Sequence, residues 1–184
     1  MKYVALLRGI NVGGNKKVPM SDLKKAFEAL GFSDVKTLLN SGNVVFSAKE
    51  IEPVLLTQQI EQTLAKTFGF PIPVIIRIKD EVRSFVDSNP FKSLVVTPET
   101  RLYITFLSEK PTSNLKIPYV SPEKNFTILE ISHNEIFSAV LVSEQYNTTD
   151  AMKILEKEFG SPRDEAGKNV TTRNWNTVVK LAAL

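Results

Sequence analysis

The chain has 184 residues, with 23 Lys+Arg against 20 Asp+Glu, a hydrophobic fraction of 42%, one histidine and no cysteine. This hydrophobic content predicts a folded core and excludes wholesale disorder, and the length fits one domain or two small ones. The lack of cysteine excludes disulfides, thiolate nucleophiles and Cys-ligated metals, and a single histidine excludes multi-histidine metal sites. We expect no metal site, no cofactor, no membrane span, no signal peptide and a cytoplasmic protein.

The first half of the chain reads as strand, helix, strand, strand, helix, strand. A first helix is expected to begin at an N-cap on Ser21 and to end at Gly31. A second helix is expected over residues 51–68, with Val54 near its start and with Ile60, Leu64 and Phe68 at i, i+4, i+8 spacing. The β-rich runs that predict strands are residues 3–8, 35–40, 43–48 and 73–78.

The second half repeats this order with a degraded first helix. A connecting helix is expected over residues 81–87, and the seam between the halves over residues 89–100. The expected strands are residues 101–107, 126–131, 135–142 and a short one near Val170, and the expected helices are residues 150–159 and a last one from about Asn174.

A shift of 91 residues reveals internal similarity. It places residues 37–48 on 128–139 with six of twelve identities, and residues 64–71 on 155–162 with five of eight. Chance gives roughly one identity in twenty positions at typical residue frequencies. We therefore expect an α+β fold made of two tandem ferredoxin-like (βαββαβ) halves, residues 1–90 and 91–184, related by duplication, with an added C-terminal helix, in one compact unit.

Three segments of the chain also carry a resemblance: residues 6–14 (LLRGINVGG), 41–46 (SGNVVF) and 171–177 (TTRNWNT). They resemble the signature segments of the domain-of-unknown-function-1697 family of bacterial proteins, and they lie at the start, middle and end of the chain. The resemblance implies an α+β fold consistent with two ferredoxin-like halves. It implies no activity and carries over no catalytic residue.

The segment after the first strand is a candidate anion site. Its glycines, Gly9, Gly13 and Gly14, permit positive φ, and Asn11 tolerates the same region. Exposed N–H groups beside the cations Arg8, Lys16 and Lys17 could hold a phosphate or carboxylate. The glycine spacing matches neither a Walker A loop nor a Rossmann fingerprint, and an ordinary strand-to-helix turn is the alternative.

The ferredoxin-like order predicts where this loop lies. The first and second strands are parallel with the third between them, so the loop should meet the hairpin that contains Ser41 and Asn43. Those side chains could complete a shared pocket, or they could only make a tight turn. A second candidate junction holds Arg173, Asn174 and Trp175 before the last helix, where Thr172 or Asn174 could cap the helix and Trp175 is a core anchor or a stacking platform. This second junction can lie beside the loops of the first half only if the two halves pack in an inverted sense. We expect them to pack in that way.

Several functions remain open. The first is binding of a small anion or nucleotide, and the second is RNA binding, which the apolar strands disfavour because they predict sheets covered on both faces. The third is an enzyme without Cys or His nucleophile chemistry, and the fourth is a protein-interaction domain. His133 is expected at a hairpin tip with a structural or solvent-exposed role, and no catalytic residue can be named. The sequence leaves the oligomeric state open.

Overall fold

The structure is a computed structural model that describes residues 1–14, 16–159 and 170–184. Within these residues the chain has the predicted α+β class, with five helices and two antiparallel sheets. Its contacts define two compact units, Met1–Ser84 with Val179–Leu184 and Phe85–Val178. The first unit passes into the second between Ser84 and Phe85, earlier in the chain than the break expected between residues 90 and 91.

The first unit has the element order expected from the sequence. Its strands are β1 (Lys2–Leu7), β2 (Ser33–Leu38), β3 (Asn43–Ser47) and β4 (Val74–Ile78). Its helices are α1 (Met20–Ala29) and α2 (Pro53–Phe68), and α3 (Lys79–Ser88) follows β4 and continues into the second unit. The strands lie in the order β2-β3-β1-β4, and all neighbours are antiparallel.

The second unit holds the other sheet. Its strands are β5 (Thr100–Leu107), β6 (Tyr119–Val120), β7 (Phe126–Ser132), β8 (Glu135–Leu141) and β9 (Val170–Asn174), in the order β6-β7-β8-β5-β9. Its helix is α4 (Thr148–Phe159), and α5 (Trp175–Ala183) begins directly after β9. The two-residue strand β6 was not predicted, because the prolines around it suggested only irregular chain. No helix among the described residues is long and apolar enough to cross a membrane.

Both alternating sets of β1 side chains are buried, as the apolar sequence predicted. Tyr3, Ala5 and Leu7 belong to the core beneath α1 and α2. The centre of this core is aromatic: the ring of Phe46 lies 5.2 Å from that of Phe27 and 5.6 Å from that of Tyr3. The other set, Val4 and Leu6, is equally inaccessible to solvent.

Two local expectations are wrong. The N-cap of α1 is Pro19, which makes no side-chain cap, so Ser21 lies inside the first turn. Strand β2 ends at Leu38 because Leu39 adopts a left-handed φ of 59°.

The 91-residue shift describes the helices better than the strands. It pairs Ile60 and Leu64 of α2 with Ala151 and Leu155 of α4, and all four residues are buried. In the hairpins, however, Leu7 N–H donates to Gly42 C=O at 2.8 Å, whereas Leu107 N–H donates to Asn134 C=O at 2.8 Å. The carbonyls that accept these two hydrogen bonds are 92 residues apart, because 134 − 42 = 92.

That one-residue difference reverses the faces of the strand. Phe46 lies in the core beneath α1 and α2, whereas Phe137 contacts Phe85 and Phe91 with ring centroids 5.8 Å and 6.1 Å apart. Side chains alternate along a strand, so a register error of one places identical residues on opposite faces. Phe46 and Phe137, which the sequence alignment pairs, therefore have different surroundings in their own sheets.

Gly42 brings the β2–β3 hairpin into contact with the end of β1. Its φ is +75°, and a Cβ at this position would lie 2.7 Å from Ile10 Cδ1 and 2.8 Å from Leu7 Cβ. Real side chains do not tolerate such distances, and only glycine adopts this φ at little cost. Gly69, which ends α2, has a similar φ of +79° but open space around the missing Cβ.

We expect Gly42→Ala to lower the free energy of unfolding by about 2–4 kcal/mol, because strain in φ and the overlap with Leu7 and Ile10 add. Gly69→Ala is the matched control, and it should cost about 1–2 kcal/mol from φ alone. Urea unfolding of the two variants measures the difference. Equal losses would show that the close approach at Gly42 carries no cost.

Candidate functional site

The loop that leaves β1 folds back on itself before α1 begins. Its described residues with positive φ are Gly9, Asn11, Gly13, Gly14 and Lys16. The N–H of Asn11 donates to the carbonyl of Lys16 at 3.1 Å and closes the loop. Repeated left-handed positions explain why this short segment is rich in glycine and asparagine.

The side chain of Asn11 joins this loop to its surroundings. Its Oδ1 accepts from Val18 N–H at 2.8 Å, and its Nδ2 donates to the carbonyls of Val18 at 3.0 Å and Asn40 at 2.9 Å. Both Nδ2 hydrogens are therefore used within the protein. The predicted meeting of the glycine-rich loop with the β2–β3 hairpin is confirmed, and Asn11 makes the contact.

A pocket of about 360 Å³ lies where the loop, the hairpin and the start of α1 meet. The residues that line it are Asn11, Gly14, Lys17, Val18, Pro19, Met20 and Asn40. Lys17 is the cation among them, and its side chain is exposed. Three apolar residues, Val18, Pro19 and Met20, form another part of the wall.

The start of α1 contributes polarity to this pocket. The first N–H groups of a helix have no partner inside the helix and together carry a partial positive charge. Pro19 makes no side-chain cap at this end. Asp22 in the first turn is the one nearby carboxylate of the helix start, and it lies 3.8 Å from Lys25 in an exposed pair.

Most of the other residues expected at this site do not line the pocket. Arg8, Gly9 and Gly13 are absent from its wall, and the Nζ of Lys16 lies 5.7 Å from the centre of the Phe70 ring. A cation at this distance from an aromatic face is attracted to it. The sequence grouped Lys17 with the cations of the loop but gave no reason to prefer it, and Asn40 was missed altogether.

Ser41 and Asn43 belong to the hairpin rather than to the pocket. Asn43 is fully buried, and its Nδ2 donates to the carbonyl of Leu38 at 2.8 Å and to the hydroxyl of Ser41 at 3.0 Å. Burying an amide is tolerated because it is hydrogen bonded. These contacts favour the simpler interpretation of the Ser-Gly-Asn sequence as a tight turn.

The junction at Arg173, Asn174 and Trp175 is built into the second unit. Asn174 Oδ1 accepts from Asn176 N–H at 2.9 Å and so caps α5, as one of the two expected candidates. The Trp175 ring packs edge-on against Phe91 at 5.0 Å. Arg173 Nη1 donates to Thr171 Oγ1 at 2.7 Å and to Thr172 C=O at 3.0 Å.

Arg173 is only 8% exposed, and its burial lowers the pKa to about 10. Removal from water disfavours the charged form of an arginine, but a pKa near 10 still leaves it protonated at neutral pH. The expected approach of this junction to the loops of the first unit stays a prediction.

His133 has the expected position at a hairpin tip. It lies between β7 and β8 with a φ of +52°, is exposed, and its Nδ1 is 3.3 Å from Ser132 Oγ. Within the described residues no group of three or more His, Asp or Glu side chains could hold a metal ion. The geometry around His133 supports the structural or solvent-exposed role.

Replacing Asn11 should loosen the whole junction. We expect Asn11→Ala to lower the free energy of unfolding by about 1–2 kcal/mol and to speed amide exchange at Val18, because three hydrogen bonds are lost. Asn11→Asp should keep Val18 protected, since Oδ1 remains an acceptor. Asn40→Ala is the control, because Asn40 contributes only its backbone carbonyl. Equal exchange at Val18 in Asn11→Ala and the wild type would contradict this role.

Comparison with solved structures shows a similar fold in the conserved bacterial protein SP0830 from Streptococcus pneumoniae. The TM-score is 0.70 at 22% identity, and the match covers 99% of this chain and 97% of that chain. A likeness at this identity supports the fold alone. Comparison with curated proteins finds no match. The family described as "Protein of unknown function (DUF1697)" matches residues 1–137, and the chain therefore belongs to the DUF1697 family.

Proposed function

We propose that this protein binds a small anion or a nucleotide in the pocket between the glycine-rich loop, the β2–β3 hairpin and the start of α1. The observation that carries the proposal is the composition of that pocket: Lys17, the uncapped helix end and the left-handed Gly14 line an open pocket of about 360 Å³. Backbone N–H groups at a helix start favour phosphate and carboxylate groups. The apolar wall leaves room for an uncharged part of the ligand.

Among the residues expected to hold the anion, Lys17 keeps its expected role, whereas Asn11 takes a different one. Lys17 supplies the charge, whereas Asn11 holds the loop in place through Val18 and Asn40. Asp22 opposes a bound anion by its charge, and its pairing with Lys25 reduces that effect only partly because the pair is exposed. Removing the Asp22 charge should therefore tighten binding.

RNA binding and an enzymatic activity are the alternatives. An RNA-binding sheet needs an exposed face on which bases stack. The side chains of β1 from Tyr3 to Leu7 are at most 2% exposed, so this strand offers no such platform. No arrangement of the described residues favours a particular reaction, and a cytoplasmic location stays a prediction.

A thermal-shift panel tests the proposal at one fixed salt concentration, with inorganic phosphate, nucleotides, short carboxylates and a short single-stranded RNA. A ligand at 100 times its dissociation constant should add about 2.7 kcal/mol of stability. We expect Lys17→Ala to reduce the shift and Asp22→Asn to increase it. Lys49→Ala is the matched control, because Lys49 is exposed and follows β3 at the end of the sheet away from the hairpin.

Two outcomes would overturn the proposal. One is the absence of a shift with every small anion, and the other is an equal loss of binding in Lys17→Ala and Lys49→Ala. A thermal shift with RNA alone would instead favour RNA binding.

We also propose that the two units are ferredoxin-like halves of one duplication, with α5 added. The order β2-β3-β1-β4 corresponds to β7-β8-β5-β9, with β6 added at the edge. Arg77 pairs with Val4 and Arg173 pairs with Ile104, so the two arginines occupy the same place in their sheets. Each also donates to the carbonyl of the residue before it.

An experimental structure tests the duplication directly. Superposing β1, β3 and β4 on β5, β8 and β9 should bring the Cα atoms of Arg77 and Arg173 within about one residue spacing, ~3.8 Å. A better superposition with Phe46 on Phe137 would contradict the register given by the strands.

A further inference from the structure

Strand β4 is an edge of the first sheet, and its outward side can be read from its pairing. β4 pairs with β1, and Arg8 N–H donates to Pro73 C=O at 3.0 Å. Backbone groups alternate along an antiparallel strand. The N–H and C=O groups of Val74, Ile76 and Ile78 therefore point away from β1, toward the open edge.

Side chains occupy three of these six outward groups. Glu61 Oε1 of α2 accepts from Val74 N–H at 2.8 Å, and Glu81 Oε2 of α3 accepts from Ile78 N–H at 3.2 Å. Between them, Arg77 Nη1 donates to Ile76 C=O at 2.8 Å. The type of each side chain matches the backbone group that it contacts. An ionised carboxylate only accepts hydrogen bonds and contacts an N–H group, whereas the guanidinium only donates and contacts the carbonyl.

The edge needs protection because of its sequence. β4 reads Val-Ile-Ile-Arg-Ile, a β-branched run of the kind that pairs readily with another strand. The opposite edge, β2, is protected differently: it has a register shift between Ser33 and Lys36, and Asp34 has a left-handed φ of 53°. A bulge and charges of this kind discourage pairing without any cap.

We propose that Glu61, Arg77 and Glu81 keep the β4 edge closed to β4 of a second copy of this chain. An antiparallel pairing of two copies about a twofold axis at Ile76 would bring Val74 of each opposite Ile78 of the other. Such a pairing needs the three backbone groups that the side chains now occupy. This assignment is separate from the anion site and does not depend on it.

Glu61 is partly buried where it meets the edge. This burial raises its pKa, and the hydrogen bond from Val74 N–H lowers the pKa by less. The stability linked to the raised pKa is present below the unfolded pKa and is lost as pH rises through the folded pKa.

Light scattering after size exclusion tests the assignment over a range of protein concentrations. We expect the double variant Glu61→Ala/Glu81→Ala to populate species of at least twice the wild-type mass, increasingly with concentration. The control is Glu50→Ala/Glu52→Ala, which removes the same charge from two exposed residues before α2. Wild-type mass in the double variant at every concentration, or an equal increase in the control, would overturn the assignment.

Amide hydrogen exchange keeps the test decisive if the double variant folds poorly. In single variants, Glu61→Ala should deprotect Val74 N–H and leave Ile78 unchanged, and Glu81→Ala should do the reverse. Glu61→Gln should keep Val74 protected, because the amide oxygen still accepts. Unchanged exchange at Val74 in Glu61→Ala would also overturn the assignment.

Discussion

The candidate site depends on the contact between the end of β1 and the β2–β3 hairpin. Leu7 N–H reaches Gly42 C=O at 2.8 Å, and the space beside Leu7 and Ile10 has no room for a side chain at position 42. Only with this approach does Asn40 come within reach of Asn11. The absence of a Cβ at Gly42 allows this close approach, and the approach places the loop beside the hairpin where the pocket lies.

Asn11 and Asn43 use their side-chain amides to fix the backbone around the pocket. Each uses its amide to hold backbone carbonyls and, for Asn11, also an N–H group. Asn43 is buried and Asn11 is exposed, and both make their amide hydrogen bonds inside the protein. The ligand is consequently left to Lys17 and to backbone groups in the site that we propose.

The two edge strands of the first sheet, β2 and β4, differ in how their outer sides are protected from pairing. β2 has a bulge and exposed charges, whereas β4 has an apolar sequence: two of its N–H groups donate to glutamates of α2 and α3, and its Ile76 C=O accepts from Arg77. Edges are where an ordered sheet could grow by adding another chain. The caps on β4 come from residues that read as ordinary surface charges in the sequence.

The amino-acid sequence by itself determined the α+β class, the order of the elements in the described residues and the meeting of the loop with the hairpin. Periodicity, β-branched runs and glycines such as Gly69 carry this information locally. Only the tertiary structure decided that Pro19 is the N-cap of α1, that the carbonyls accepting from Leu7 and Leu107 are those of Gly42 and Asn134, and that Lys17 rather than Arg8 lines the pocket. These features depend on which backbone groups approach each other across the fold. Every residue has a backbone carbonyl, so the identity of residue 40 does not indicate that its carbonyl accepts a hydrogen bond from Asn11.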